Sequence, residues 1–290
     1  MELRHLRYFL AVAEESSFTK AALKVGIGQP PLSMQIRNLE EEIGVELFRR
    51  GSHGVELSEA GHAFMVHARQ TLDEAQKAVR AAQQIGRGDA GQLRMGFTTS
   101  AAFNPVVSLS IQAFRERYPA VEVSLMEANS AHLFTHLEDG RLDAAFVRPS
   151  SLVADSLELR HFPSEPMKIV IPRSHPLASR RALPLSALAQ DPFIMFPRSN
   201  GVALYDEVIR ACRESGFEPM INQQAPQLSS LVNLVAAGLG VSVVPEAIAQ
   251  IKLDGVRYLD IRGPRPLAKL AFAYARDKSA IVSNFLNMLD

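Results

Sequence analysis

Residues 18 to 42 read FTKAALKVGIGQPPLSMQIRNLEEE, and this stretch decides the architecture of the first part of the chain. Apolar residues recur at helical spacing from Phe18 to Val25, and Gly26 and Gly28 then interrupt the pattern. A second helix is predicted to begin at Gln29-Pro30-Pro31, because proline is tolerated only in the first turn of a helix. The stretch therefore predicts two short helices joined by a tight turn.

The second helix has two contrasting faces. Its apolar stripe consists of Leu32, Ile36, Leu39 and Ile43. Its first turn and polar face carry the candidate DNA contacts Gln29, Pro30, Ser33, Gln35, Arg37 and Asn38. Amide, hydroxyl and guanidinium groups can hydrogen-bond base edges and phosphates in a DNA groove, which predicts a recognition helix. The alternative is an ordinary solvated helix of an αα-hairpin, since helix-turn-helix spacing alone is a loose pattern.

Six short segments between residues 18 and 61 favour the recognition helix over the αα-hairpin. They are Phe18-Thr-Lys-Ala-Ala-Leu, Gln29-Pro-Pro-Leu-Ser, Gln35-Ile-Arg-Asn-Leu-Glu40, Ile43-Gly44, Leu47-Phe48-Arg-Arg50 and Leu57-Ser-Glu-Ala-Gly61. Together they resemble the N-terminal domain of the LysR-type transcriptional regulators. The resemblance implies a winged helix-turn-helix domain, residues 1–58, that binds double-stranded DNA sequence-specifically. The chain departs from the family pattern at Gly28, where serine is more common, and at His53, where the wing usually carries a basic residue.

The segment from Val45 to Leu57 predicts the wing. Two short apolar runs flank a polar tip, as in a β-hairpin. The wing is expected near a minor groove, where Arg49, Arg50 and His53 can meet phosphates. Residues 1–58 nevertheless contain seven Lys/Arg against eight Asp/Glu, in a chain whose formal net charge is zero. We therefore expect weak nonspecific affinity for DNA.

The composition limits the classes of protein to which the chain can belong. At 290 residues and 47% apolar content, the chain can form two or three domains with buried cores. It opens with no signal-peptide pattern and contains no apolar run near the roughly 20 residues of a membrane span, so we expect a soluble cytoplasmic protein with no membrane partner. Cys212 is the only cysteine, which excludes an intramolecular disulfide and predicts a buried, inert thiol.

A long helix follows the wing. The chain contains neither glycine nor proline from His62 to Ile85, and residues 59–90 are predicted as a linker helix with a hinge at its end. A stripe spaced by three and four predicts a helix–helix seam, and it consists of Phe64, Ala68, Leu72, Ala75, Val79 and Ala82. The family resemblance implies a homodimer through this helix and suggests homotetramers. Packing of the helix only within its own chain is the alternative.

Residues 91–290 alternate between strand-like and helix-like segments, which predicts an α/β fold with parallel strands. The first predicted helix of this region runs from Phe103 to Arg117. We expect two lobes: lobe I, residues 91–161 with 267–290, and lobe II, residues 162–266. The arrangement resembles the two-lobed, periplasmic-binding-protein-like effector domain of the same regulators. The resemblance implies control by a small-molecule effector bound between the lobes.

Polar groups follow several predicted strands, at the strand ends where ligands bind in open α/β sheets. The candidate effector-binding residues, including apolar walls, are Thr98, Thr99, Ser100, Phe103, Asn129, Ser130, Arg148, Phe196, Arg198, Leu228 and Val244. Helix N-termini and the Arg148 charge predict a small organic anion, with a carboxylate as the expected class. Each polar group alone is also explained as helix capping or a turn, and Arg148 by an ion pair with a carboxylate at the surface.

No pattern indicates catalysis, a metal or a cofactor. His132 and His136 have i, i+4 spacing, but Leu133 stands where a zinc protease needs its glutamate, and no third ligand is evident. Gly238-Leu-Gly240 lacks the third glycine of a dinucleotide-binding loop. The chain is therefore predicted to be a DNA-binding regulator without enzymatic activity, with RNA polymerase as a candidate partner. The alternative is a solute-binding protein with a helical oligomerisation segment.

Overall fold

The computed structural model describes residues 1–51, 54–149 and 154–289. The chain divides into two compact units, Met1–Gln84 and Ile85–Asp290. The first unit is mainly helical, and the second contains two larger mixed sheets with flanking helices. These elements follow the predicted order of a winged helix-turn-helix, a long helix and an α/β region.

The first unit begins with three helices and a hairpin. Its elements are α1 (Leu3–Glu15), α2 (Phe18–Val25), α3 (Gln29–Ile43), β1 (Phe48–Gly51), β2 (Gly54–Leu57) and α4 (Glu59–Arg87). The Ser17 hydroxyl caps α2 by accepting a hydrogen bond from the Lys20 N–H at 3.4 Å. Gly26 ends α2 with a φ of 73°, a left-handed conformation that glycine adopts without a steric penalty. Both helices of the predicted pair thus start where the sequence predicts.

Aromatic packing stabilises the first unit. The buried Phe9 ring lies 5.1 Å from the Phe48 ring and 4.9 Å from the Phe64 ring, measured between centroids. The apolar stripe of α3 is buried in the same core at Leu32, Ile36 and Leu39. Burial of this stripe turns the polar face of α3 outward.

The wing starts later than predicted. Strand β1 begins at Phe48 rather than at Val45, and it pairs with Leu57 of β2. The Glu40 carboxylate, near the end of α3, accepts hydrogen bonds from the N–H groups of Leu47 (2.8 Å) and Phe48 (3.1 Å). The chain entering the wing is therefore held against α3, and its pairing begins only after this contact.

The first half of α4 packs within its own chain. Ala68 is buried, and Phe64 and Leu72 pack against the same core as α1. Val79, further along α4, is 56% exposed. The first three positions of the predicted seam therefore belong to the core of the first unit, whereas Val79 and Ala82 are exposed.

The second unit contains the remaining regular elements. In chain order they are β3 (Ala90–Phe97), α5 (Thr99–Ala102), α6 (Pro105–Arg117), β4 (Ala120–Glu127), α7 (Ser130–Glu138), β5 (Ala144–Val147), β6 (Leu157–His161), β7 (Glu165–Pro172), β8 (Ala182–Leu183), β9 (Pro192–Met195), α8 (Val202–Glu214), β10 (Met220–Gln224), α9 (Leu228–Ala236), β11 (Ser242–Pro245), β12 (Val256–Ile261), β13 (Leu267–Ala268), β14 (Ala271–Ala275) and α10 (Ala280–Met288). Short 3-10 helices lie at Leu185–Leu188, Arg198–Asn200 and Glu246–Gln250.

Each lobe has its own sheet. In lobe I the strand order is β4-β3-β5-β14-β6, with β3 parallel to β4 and β5, and β14 antiparallel to its neighbours. In lobe II the order is β11-β7-β12-β8, and a bridge between Phe193 and Val241 joins the β9-β10 pair to β11. Strand β14 thus returns the end of the chain to the first sheet, as predicted. Leu267–Ala268, which the sequence placed in lobe I, pairs with β7 of lobe II.

Two features of the second unit differ from the sequence prediction. The helix expected from Phe103 to Arg117 begins at Pro105, because the Asn104 side chain caps α6 through the Val106 N–H at 3.0 Å and Pro105 occupies its first turn; the short helix α5, before this range, was not predicted. Strands β6 and β12 were not predicted. Their sequences, LELRH and VRYLDI, place charges among the apolar residues and so weaken the apolar signal on which the prediction depended.

Cys212 is buried in lobe II, and burial raises the pKa of its thiol to about 12. The predicted burial of this thiol is confirmed, and a raised pKa disfavours the thiolate, which is the reactive form. Across the described ranges, every helix is too short or too polar to cross a membrane.

Candidate functional site

The polar face of α3 presents the predicted DNA contacts. Ser33 and Gln35 are partly buried, and the exposed positions are Gln29, Pro30, Arg37 and Asn38. The Gln29 amide donates to the Ser33 hydroxyl at 3.2 Å. Gly28 occupies the N-cap and provides no side-chain cap. Pro30 and Pro31, which follow Gln29, have no backbone N–H. The Gln29 N–H is therefore the donor that stays open in the first turn of α3.

The wing adds a further cation. Arg49 is exposed on β1 and lies opposite Glu56 of β2 in the strand register. His53 and the side chain of Arg50 lie outside the described residues. Their predicted phosphate contacts stay predictions.

A cleft of about 320 Å³ lies between lobes I and II, at the carboxyl ends of their strands. Eight of the predicted effector positions line it: Thr98, Thr99, Ser100, Asn129, Ser130, Arg148, Phe196 and Leu228. Sequence reasoning did not select the other lining residues, which are Glu127, Ala128, Asn200, Gly201, Leu204, Pro226 and Gln227. The volume is at the lower end of the range for small-molecule sites, about 300 to 1,000 Å³, so it suits a small ligand.

Three of the missed lining residues carried a usable signal in the sequence. Glu127 is the last residue of β4 and stands two positions before the predicted Asn129. Gly201 and Gln227 each precede a predicted helix, and they are the N-caps of α8 and α9. The rule that strand ends and helix starts form the ligand edge of an α/β sheet applies to all three.

The helix N-termini at the cleft differ between the lobes. In lobe I they are closed by their own side chains: Thr98 caps α5 through the Ala101 N–H at 3.3 Å, and Asn129 caps α7 through the His132 N–H at 2.9 Å. In lobe II, helices α8 and α9 begin at Gly201 and Gln227 without a side-chain cap. Each of these caps satisfies one N–H group of a lobe I helix, whereas the starts of α8 and α9 have no side-chain cap.

Arg148 lies at the back of the cleft, and only 3% of its surface is exposed. Its Nε donates to the Ser100 hydroxyl (3.1 Å), and one terminal nitrogen donates to the Ser100 carbonyl (3.1 Å) and to the Glu165 carboxylate (2.5 Å). The other terminal nitrogen donates to the carbonyls of Ala268 (3.4 Å) and Lys269 (3.2 Å). These contacts occupy all five N–H groups of the guanidinium.

This geometry corrects the predicted role of Arg148. It was expected either to offer a free charge to a ligand or to form a surface ion pair, but it forms a buried pair whose carboxylate is only 13% exposed. Desolvation lowers the pKa of Arg148 from its usual value, and the Glu165 carboxylate opposes that shift. The Ser100 hydroxyl accepts from Nε and also lies 3.5 Å from the Thr98 hydroxyl, where either oxygen can be the donor. Arg148 therefore holds Ser100 in place at the wall, and its own N–H groups are occupied by protein acceptors.

Three other predicted wall positions lie elsewhere. Phe103 follows α5 and packs against the core of lobe II. Arg198 is exposed and forms a bidentate pair with Asp206, with both N–O distances 2.7 Å. Val244 is completely buried on β11. The two apolar side chains were misplaced because an apolar residue beside a cleft and one inside the adjacent core have the same sequence signature.

The predicted histidine pair, His132 and His136, lies on α7. The His136 Nδ1 contacts the Met126 sulfur at 3.2 Å. Among the described residues, no group of three or more His, Cys, Asp or Glu side chains is arranged to hold a metal ion.

Family comparisons account for both units of the chain. Residues 3–62 match the model for bacterial regulatory helix-turn-helix proteins of the lysR family, and residues 86–290 match the LysR substrate binding domain. The chain belongs to the LysR family of transcriptional regulators. It is a DNA-binding regulator with an effector-binding domain, and the first match excludes the alternative of a solute-binding protein whose N-terminal part serves only oligomerisation.

Full-length relatives agree with this assignment of the regulator. The HTH-type transcriptional regulator BudR of Raoultella terrigena is 41% identical over 289 residues, which is 99% of this chain and 100% of the relative. The crystal structure of CbnR, a LysR family transcriptional regulator, superposes with a TM-score of 0.88 at 28% identity and covers 100% of both chains. Full-length CbnR complexed with its target DNA gives a TM-score of 0.84 at 28% identity, covering 100% of this chain and 98% of that one. The relatives are named as transcriptional regulators, in agreement with the prediction of a non-enzymatic protein.

Proposed function

We propose that this LysR-type regulator is controlled by a small organic carboxylate bound in the cleft between lobes I and II. The proposed working form is a homodimer joined through the exposed part of α4, with pairing of dimers into tetramers, in the cytoplasm with its DNA. The proposed domains are residues 1–58 for DNA binding, 59–90 for linker and hinge, and 91–290 for the effector. RNA polymerase is a proposed partner at the promoter.

One observation carries the carboxylate proposal: two helices of lobe II begin at the cleft wall without a side-chain cap. Helix α8 has 13 residues and α9 has nine, and their N-caps, Gly201 and Gln227, line the cleft. Unpaired N–H groups and the helix dipole favour an anion at such a position. Ser100 lines the lobe I side of the cleft. Phe196, Leu204 and Leu228 supply an apolar wall for the carbon skeleton.

A charge placed at the start of α9 tests this proposal. Gln227→Glu keeps the side-chain size and adds a carboxylate to the first turn of the helix, where negative charge favours folding. We expect the melting temperature without ligand to stay the same or rise, while affinity for carboxylates falls about tenfold because the added charge repels the ligand. Thermal shift and calorimetric titration with a panel of aliphatic and aromatic carboxylates measure both.

The matched control is Gln224→Glu, which makes the same change on β10 at a position that does not line the cleft. It should bind the panel like the wild type. Equal affinity of Gln227→Glu and wild type for every carboxylate that binds would place the anion elsewhere.

We propose that DNA recognition uses the exposed face of α3 together with Arg49, Arg50 and His53 of the wing. The exposed side chains of Arg37 and Asn38, the Gln29 amide and the partly buried Ser33 and Gln35 support this, because base edges can be reached only by groups on the open face of the helix. Pro30 shapes the first turn and leaves the Gln29 N–H free for a phosphate.

Arg37→Ala should reduce operator discrimination by about 1 to 3 kcal/mol, the contribution of a bidentate contact between arginine and guanine. The circular dichroism spectrum should not change, because Arg37 is exposed on α3. Footprinting and fluorescence anisotropy on operator and mutated operator DNA measure the effect. Arg69→Ala serves as the control, since it removes an exposed arginine from α4 whose partner is Glu14. If both variants bind the operator equally well, Arg37 does not contact bases.

A further inference from the structure

The charge of the cleft wall constrains the effector beyond its carboxylate. Glu127 and Arg148 are the two charged side chains that line the cleft. Arg148 pairs with Glu165 at 2.5 Å, and within the described residues the exposed Glu127 carboxylate has no ion-pair partner. A ligand that carried only a carboxylate would be repelled by it.

Glu127 has free acceptor capacity. One of its oxygens accepts from the Thr99 hydroxyl at 2.5 Å, and this is its single polar contact among the residues that the structure describes. A carboxylate offers about four acceptor positions on its two oxygens. The lone pairs that remain can receive a donor from a bound molecule.

The two walls of the cleft therefore differ in the groups that they offer to a ligand. The lobe I wall presents Glu127 at the end of β4, whereas the lobe II wall presents the uncapped starts of α8 and α9 at Gly201 and Gln227. A ligand that spans a cleft of about 320 Å³ can satisfy both only if it has an acceptor end and a donor end.

We propose that the effector is a small hydroxy- or amino-carboxylate, whose carboxylate faces lobe II and whose hydroxyl or ammonium group donates to Glu127 of lobe I. This inference rests on the proposed function, because it assigns the second group of the same ligand. Hydroxy- and amino-carboxylates both carry a hydrogen-bond donor close to the carboxylate on a short carbon skeleton. Such a ligand bridges the two lobes, which a plain carboxylate does not.

The test compares matched carboxylates on the full-length protein by calorimetric titration and thermal shift. Each set keeps the skeleton and changes one group: propionate, lactate and alanine; butyrate, 3-hydroxybutyrate and 3-aminobutyrate. In one of these sets or both, a donor-bearing member should bind at least about tenfold more tightly than the plain acid, because a hydrogen bond to an ionised acceptor is a strong one. A preference for the amino acid identifies an ammonium donor, and a preference for the hydroxy acid identifies a hydroxyl donor.

Glu127→Gln removes the charge and keeps the shape. In this variant the amino acid should bind about as tightly as the plain acid, and the hydroxy acid only a few-fold more tightly than the plain acid. The affinity for the plain acid itself should be unchanged or higher. The control is Glu122→Gln, which removes a carboxylate from the same strand, β4, away from the cleft, and should keep the wild-type preferences.

Two results would overturn the inference. If plain and donor-bearing acids bind equally in the wild type, or if Glu127→Gln keeps the full preference, the donor group is not recognised by Glu127, and the proposed carboxylate function still stands. If no acid of either kind binds, the proposed carboxylate function fails and this inference fails with it.

Discussion

Replacing Glu165 with alanine is expected to lower the free energy of unfolding by about 3 to 5 kcal/mol, because it leaves the Arg148 guanidinium buried without a counter-charge. Arg148 is 3% exposed and Glu165 is 13% exposed, so water cannot replace the lost partner. The substitution also removes the acceptor of the Asn104 amide, which donates to Glu165 at 3.2 Å. The melting temperature of the second unit should fall by on the order of 10 °C, measured by circular dichroism or calorimetry.

The matched control is Asp206→Ala, which removes a carboxylate from another arginine pair. Arg198 and Asp206 are joined by two contacts of 2.7 Å, but their side chains are 59% and 49% exposed. Loss of a solvated pair should leave the melting temperature unchanged within error. Similar small changes in the two variants would show that Arg148 is hydrated or finds another acceptor, and burial would no longer explain its role.

Val79→Glu is expected to separate the proposed homodimer and to weaken operator binding by a factor on the order of 100 or more. Val79 is 56% exposed on α4, so the added carboxylate costs little in the folded monomer. In a helix–helix seam the same carboxylate would be buried without a partner, at a cost of several kcal/mol. Operator binding falls with it, because two half-sites need two recognition helices held together.

The position is chosen to avoid a false positive. Leu72→Glu would be a poor test of dimerisation, because Leu72 packs against the core of the first unit. A charge at this position would destabilise the DNA-binding part and lower operator binding for that reason alone. Gln84→Glu is the control, since it adds the same charge about 140° around the helix from Val79, with 3.6 residues per turn. Light scattering and anisotropy with operator DNA measure both variants. A Val79→Glu protein of wild-type mass would exclude a seam at this face.

Fold and family were readable from the sequence because their signals are local. The glycine that ends α2, the prolines that open α3 and the apolar stripe from Leu32 to Leu39 act over three to seven residues, and the structure places these features where the sequence predicts. Strand ends and helix starts likewise located eight lining residues of the cleft from the sequence.

Predictions failed where a residue's partner lies far along the chain or in another layer. Val244 and Phe103 have the apolar character of a cleft wall, yet they pack inside or against the core of lobe II. The stripe of α4 has one period throughout, yet its first half packs in the first unit and Val79 is exposed. The spacing of apolar residues shows that one face of a helix is apolar. It does not show which part of the protein packs against that face.

The sequence by itself determined the helix-turn-helix, the α/β lobes and the polar composition of the strand ends, because capping and periodicity depend on near neighbours. Only the tertiary structure decided the electrostatics of the cleft. Arg148 and Glu165 come from opposite lobes and neutralise each other once both are buried, and this leaves Glu127 as the charge that a ligand meets. The net effect of a charge depends on its distance to other charges and on its access to water, and both are set by the packing of the two lobes.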